Sequence, residues 1–143
     1  MTEDLVKMEI HPEYYPAESF SEILLVNEEV ALPIYVTKGQ AVSIINGLHG
    51  VAPSRPMTHD IFIRLINAMS GCITRVVIDG LHAGVFMAKL YVEHYSSGEA
   101  EEIIIDARPS DCIALAAREG CAIYVAADVL REAGKGKEEL GIE

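Results

Sequence analysis

Two short stretches hold the residues best suited to chemistry. The first is Asp106-Ala107-Arg108-Pro109-Ser110-Asp111, which follows the apolar run Ile103-Ile104-Ile105. The run is β-branched and reads as a buried strand. Pro109 cannot continue a ladder but suits a first helical turn. Ser110 and Asp111 can accept hydrogen bonds from free N–H groups at a helix start. Polar groups on a strand–helix junction are well placed for function. The simpler account is a capped helix with an Arg–Asp ion pair. The second stretch is Thr58-His59-Asp60, after Arg55-Pro56-Met57. Thr58 reads as the cap of a helix. Asp60 suits the positive end of its dipole, whereas His59 there points to a neutral base, a ligand or a hydrogen-bonding partner.

If both helix starts face one cleft, His59, Asp60, Asp106, Arg108 and Asp111 share a site. Asp60, Asp106 and Asp111 are the oxygen ligands expected for Mg²⁺ or Mn²⁺, with His59 as base or nitrogen ligand. Arg108 is suited to a bidentate grip on phosphate. Thr58 and Ser110, at the two helix starts, would add anion-binding capacity. Such a set suits metal-assisted phosphodiester hydrolysis. The same residues also suit a non-catalytic module that binds an anion or a partner's carboxylate, or ion pairs at a subunit interface.

The elements that must position these stretches follow from hydrophobic periodicity. Leu5–Ile10 alternates as a half-buried strand, and 11–16 breaks it. Strands 20–26 and 30–36 follow, and Pro33 points to an edge or a bulge. Thr37 caps a helix over 38–49, whose stripe is Ala41, Ile44, Ile45 and Leu48. Gly50 stops it. The second helix starts at Thr58, with Phe62, Leu65, Ile66 and Met69 as its buried stripe. Strands over 72–79, 85–95 and 101–106 form a second meander, with a turn over 80–84. A helix over 110–119, a strand over 122–125 and a short helix over 126–133 complete the order. Residues 135–143 are polar and read as a frayed tail, leaving one domain over 1–134. The fold class is therefore α+β, a mostly antiparallel sheet of two meanders with three to four helices packed on it.

Composition narrows the functions. The chain has 143 residues, half of them apolar, which is enough for one core. It carries 11 basic and 22 acidic residues, a net charge of −11, and its cations form no run. That opposes non-specific grip on a polyanion. Cys72, Cys112 and Cys121 are an odd number without a Cys-x-x-Cys pair, so free thiols in a reducing cytoplasm are expected. No secretory h-region and no run long enough to span a membrane is read. Phosphate-binding glycine loops and serine-hydrolase elbows are absent.

Four stretches resemble the bifunctional nuclease family. They are Leu32-Pro33-Ile34-Tyr35-Val36; Arg55-Pro56-Met57-Thr58-His59-Asp60; Arg75-Val76-Val77-Ile78 with Gly84-Val85-Phe86-Met87-Ala88; and Asp106 through Ala116. The likeness spans roughly residues 5–134. It implies an α+β fold, a homo-oligomer and, by analogy with plant members, hydrolysis of RNA and DNA. Cys112 replaces a small residue of many relatives, and the turn over 79–84 departs in its polar residues. On this resemblance His59, Asp60, Arg108 and Asp111 are the expected catalytic group, with Arg108, Ser110 and Thr58 on the substrate.

Overall fold

The computed structural model describes residues 4–16 and 18–142. The chain runs β1 (Leu5–Ile10), β2 (Tyr15–Pro16), β3 (Ser21–Val26), β4 (Val30–Val36), α1 (Lys38–His49) and α2 (Thr58–Ala68). It continues β5 (Gly71–His82), β6 (Val85–Ser96), β7 (Glu99–Ala107), α3 (Pro109–Glu119), β8 (Ala122–Ala126), α4 (Ala127–Ala133) and β9 (Lys135–Gly136), then a 3-10 turn over Lys137–Leu140. The fold is α+β in one domain, as the alternation of patterns predicts.

The two meanders form one sheet. Its order is β7-β6-β5-β8-β1-β3-β4-β9, with β2 paired to β3. The late strand β8 joins them, parallel to β5 and antiparallel to β1. Pro33 lies opposite Leu24 of β3. On its other side β4 pairs with β9 only at Val30 and Ala31, so the missing N–H of Pro33 breaks no ladder.

The meander β5-β6-β7 is closed by two-residue turns. Ala83 and Gly84 both have positive φ, as do Ser97 and Gly98, which is the twist that matches flanking strands. The first turn is thus tighter than the expected 80–84, because β5 continues through His82.

Helix α1 has the expected bounds. Thr37 Oγ1 accepts from Gln40 N–H while Gln40 Oε1 accepts from Thr37 N–H, a reciprocal capping box. Gly50 closes it in the left-handed conformation. Helix α3 is the centre of the core. Cys112, Ile113, Ala114, Leu115 and Ala116 are all buried, against Ile78, Ala88 and Leu90 of the sheet and Ile44 of α1.

Four expectations are overturned. Ile103, Ile104 and Ile105 do not form a buried strand; Ile104 is 52% exposed, because β7 is the sheet's outer strand and nothing covers it among the described residues. Leu65 and Met69 face outward, and α2 packs through Phe62, Ile63 and Ile66 instead. Thr58 is the first helical residue rather than the cap, which is Met57. Residues 135–140 are not frayed: β9 pairs with β4, and Lys137 N–H donates to Glu29 C=O. No helix among the described residues is long and apolar enough to cross a membrane.

Candidate functional site

Three helices converge where the sequence places its two motifs. Pro109 occupies the first helical position of α3, and Arg108 is its N-cap. The Arg108 side chain makes no capping hydrogen bond to this helix. Asp111 is free of the capping duty expected of it, and both its oxygens go elsewhere. Oδ2 accepts from Arg108 Nε at 3.2 Å and Oδ1 from His59 Nε2 at 3.0 Å. His59 is held from its other side by Ser43 of α1, whose Oγ lies 2.6 Å from Nδ1.

These contacts assign the imidazole. An ionised carboxylate only accepts, so Nε2 carries a proton. Ser43 Oγ accepts from Arg118 Nη2, which leaves its hydroxyl proton to point at Nδ1. The row Ser43–His59–Asp111 has the connectivity of a nucleophile–base–orienter triad. Ser43, however, is only 2% exposed. A substrate cannot reach it, so Ser43 orients the ring and is not a nucleophile.

Arg118, in the last turn of α3, organises the space behind. Its Nε donates to Asp60 Oδ1 at 2.7 Å. Nη1 donates to the carbonyls of Ser43 and Ala114, and Nη2 to Ser43 Oγ at 3.1 Å. A planar fork reaching three elements is something a lysine could not reproduce. Gly47 makes room for it: a Cβ there would lie 2.8 Å from Arg118 Nη1. Asp60 Oδ2 also accepts from Met57 N–H at 2.8 Å, closing the start of α2. The Arg118 hydrogen bond holds the Asp60 carboxyl below its ordinary value of 3.8.

Asp106 stands apart from this network. It lies on β7, opposite Lys89 of β6, and accepts from Lys89 Nζ at 3.3 Å. Lys89 is shared with Asp79 at 3.5 Å. Thr58 is exposed, while Ser110 is buried at the start of α3.

The structure thus brings together His59, Asp111 and Arg108, with Asp60 behind them through Arg118. It does not gather Asp60, Asp106 and Asp111 into a metal centre. Each carboxylate already faces its own cationic or imidazole partner: Arg118, Lys89, and His59 with Arg108. No group of three His, Cys, Asp or Glu side chains is arranged to hold a metal ion among the described residues. The expected Mg²⁺ or Mn²⁺ set does not fit this donor arrangement.

Two residues of the network, Ser43 and Arg118, escape the sequence reading. Arg118 lies two helical turns after Asp111, on the same face of α3, and that spacing is the signal that could have found it. Ser43 carries a weaker one, as a polar residue beside the apolar stripe of α1.

A cleft opens beside Arg108. Its volume is about 490 Å³, and its walls include Phe20, Tyr35, Val85, Phe86, Arg108 and Ser110. It lies where the end of β4, the β5–β6 turn and the start of α3 meet. The Arg108 side chain is 71% exposed.

Sequence comparison agrees with the motif reading. The sequence model of the bifunctional nuclease domain matches residues 23–138. Two curated relatives are the uncharacterized proteins MT1877 and Rv1829, from the CDC 1551 / Oshkosh and H37Rv strains of Mycobacterium tuberculosis. Each is 38% identical over 108 residues, which is 76% of this chain. The chain spans 62% of the length of these relatives.

Proposed function

This chain belongs to the bifunctional nuclease domain family, and from that premise we propose that it cleaves phosphodiester bonds in RNA or DNA at the Arg108–Asp111–His59 group. One observation carries the reading. Asp111 bridges a shielded imidazole and an exposed guanidinium, through Oδ1 and Oδ2 respectively. Arg108 is the group a phosphate meets first, and its exposed side chain is free to turn toward it. Turning releases Asp111 Oδ2, which then faces the substrate. That oxygen takes the proton of the attacking hydroxyl, from water or from a ribose 2′-OH. His59 keeps Oδ1 occupied and fixes the carboxylate. As the new P–O bond forms, the bond to the departing sugar oxygen breaks and that oxygen takes a proton from water, while Arg108 stays on the phosphate as negative charge builds on its oxygens. Asp111 and Arg108 are the catalytic residues of this scheme. His59, Ser43, Arg118 and Asp60 position them.

A cytoplasmic setting accords with three free cysteines. A second reading is favoured by a specific observation: both ring nitrogens of His59 are satisfied within the protein, and the chain is strongly acidic. On that reading the group is a polar clamp, and the protein binds nucleic acid without cutting it.

The test is cleavage of labelled single- and double-stranded RNA and DNA. Wild type, Asp111→Asn and Arg108→Ala are purified identically, each with Mg²⁺, with Mn²⁺ and with EDTA. Cleavage lost in both variants while their folding holds supports the nuclease reading. Equal cleavage by all three preparations overturns it. Binding without cleavage by the wild type under every condition selects the second reading.

A further inference from the structure

We propose that the cleft beside Arg108 is a base-stacking subsite for single-stranded nucleic acid, with the rings of Phe20 and Tyr35 as its platform. This deepens the reading of the Arg108–Asp111 group and rests on it.

Two aromatic rings stand exposed at this cleft. Tyr35 is 61% exposed and Phe20 is 42% exposed. Both are large apolar surfaces that a folded chain would otherwise bury. They stand edge to face, with ring centroids 5.3 Å apart and planes at 86°. Such an arrangement leaves an aromatic face open to a third ring. Val85 and Phe86, at the tip of the β5–β6 hairpin, add apolar lining to the same cleft. Arg108 belongs to the same lining, so one nucleotide could place its base on the rings and its phosphate on the guanidinium. The volume, about 490 Å³, lies within the roughly 300–1,000 Å³ usual for ligand sites.

Charge then selects the strand state. Duplex affinity comes mainly from many cations along the phosphates. This chain has a net charge of −11. Acidic groups accompany both parts of the cleft: Glu22 lies opposite Tyr35 on β3, and Asp106 and Asp111 flank Arg108 in the chain. Lys89 is engaged by Asp79 and Asp106. One exposed guanidinium, itself paired with Asp111, does not hold a duplex in such surroundings. Stacking does not need a basic stripe, and every base offers a π-face once unpaired. The Tyr35 hydroxyl stays protonated, since burial and the adjacent Glu22 carboxylate push its pKa above 10.0. The platform is therefore neutral and adds no repulsion of its own.

The experiment is fluorescence-anisotropy binding of three probes of equal length: a single-stranded oligonucleotide, its abasic counterpart with the same phosphates, and a duplex. The wild type should bind the base-bearing strand about tenfold tighter than the other two. Tyr35→Ala and Phe20→Ala should each erase that preference while leaving the weak abasic binding unchanged. Tyr35→Phe keeps the ring and should retain the preference, which separates stacking from misfolding. Equal affinity for base-bearing and abasic strands overturns the subsite. If cleavage is intact in that case, the subsite alone fails and the nuclease reading stands. If no probe binds and nothing is cut, both fail together.

Discussion

His59 Nε2 and Asp111 Oδ1 lie 3.0 Å apart although 52 positions separate them in the chain. The contact ties the first turn of α2 to the first turn of α3, and it turns two unremarkable helix starts into one polar group. Asp111→Asn preserves the shape and an acceptor for His59 but removes the group that takes a proton. Cleavage is expected to fall by about 10²–10⁴-fold, with thermal unfolding little changed. Rates and melting curves measured on the same preparations check this. An unaltered rate would remove Asp111 from the chemistry.

The Arg118–Asp60 pair is expected to matter for stability. The Arg118 side chain is 8% exposed and makes bonds to both α1 and α2. Arg118→Met should cost about 3 kcal/mol in urea unfolding, because Asp60 is left without its cation. Arg118→Lys should recover only part of it.

The same pair makes an acid-dependent prediction. The Asp60 carboxyl is depressed in the folded state, chiefly by the Arg118 hydrogen bond. A depressed carboxyl contributes stability fully above its ordinary value of 3.8 and loses it as pH falls through the lower folded value. Asp60→Asn lacks that contribution at every pH. The gap in urea midpoint between wild type and Asp60→Asn should be wide at pH 7 and close below pH 3.8. A gap independent of pH would contradict the pairing.

Arg108 should behave in the opposite way to Arg118. Its exposed side chain makes a single surface ion pair with Asp111, so Arg108→Ala should change stability by no more than about 0.5 kcal/mol. Affinity for a phosphate-bearing oligonucleotide should drop about tenfold, and Arg108→Lys should restore it incompletely. Titrations at two salt concentrations separate this from a general loss of charge.

Two of the three thiols should be inert in the folded protein. Burial pushes Cys112 up to about 12 and Cys121 up to about 11. Both therefore stay protonated near pH 8, where the thiolate is the reactive form. Mass-mapped alkylation at pH 8 should leave Cys112 unmodified until denaturant is added, with Cys121 slow. Fast labelling of Cys112 would contradict its packing within α3.

Much of the fold was legible because local signals agreed with one another. Thr37, Gln40 and Gly50 mark both ends of α1, and the apolar stripe between them has one period. The alternation in β6 put Ala88, Leu90 and Val92 on the buried face. Failures arose where burial depends on neighbours distant in the chain. The run Ile103–Ile105 has the composition of an inner strand, but among the described residues β7 has a strand partner on one side only. Leu65 and Met69 fit a helical stripe as well as Phe62 and Ile66 do, and only the placement of α2 at the margin chose between them. Lys135 and Gly136 have no strand signal; pairing with the free side of β4 gives them one.

The sequence by itself determined the main strands and helices, their order, and which positions carry groups able to grip phosphate or move a proton. Periodicity, caps and turn residues act over a few positions, and a chain displays them directly. Only the tertiary structure decided how those groups combine. It joined His59 to Asp111, gave Asp60 to Arg118 and Asp106 to Lys89, and so left three carboxylates in three separate partnerships rather than one metal centre. It also recruited Ser43 and Arg118, whose roles exist only because α1 and α3 meet at Gly47. Side-chain partnerships across that distance follow from how helices pack against the sheet, which no short stretch of sequence records.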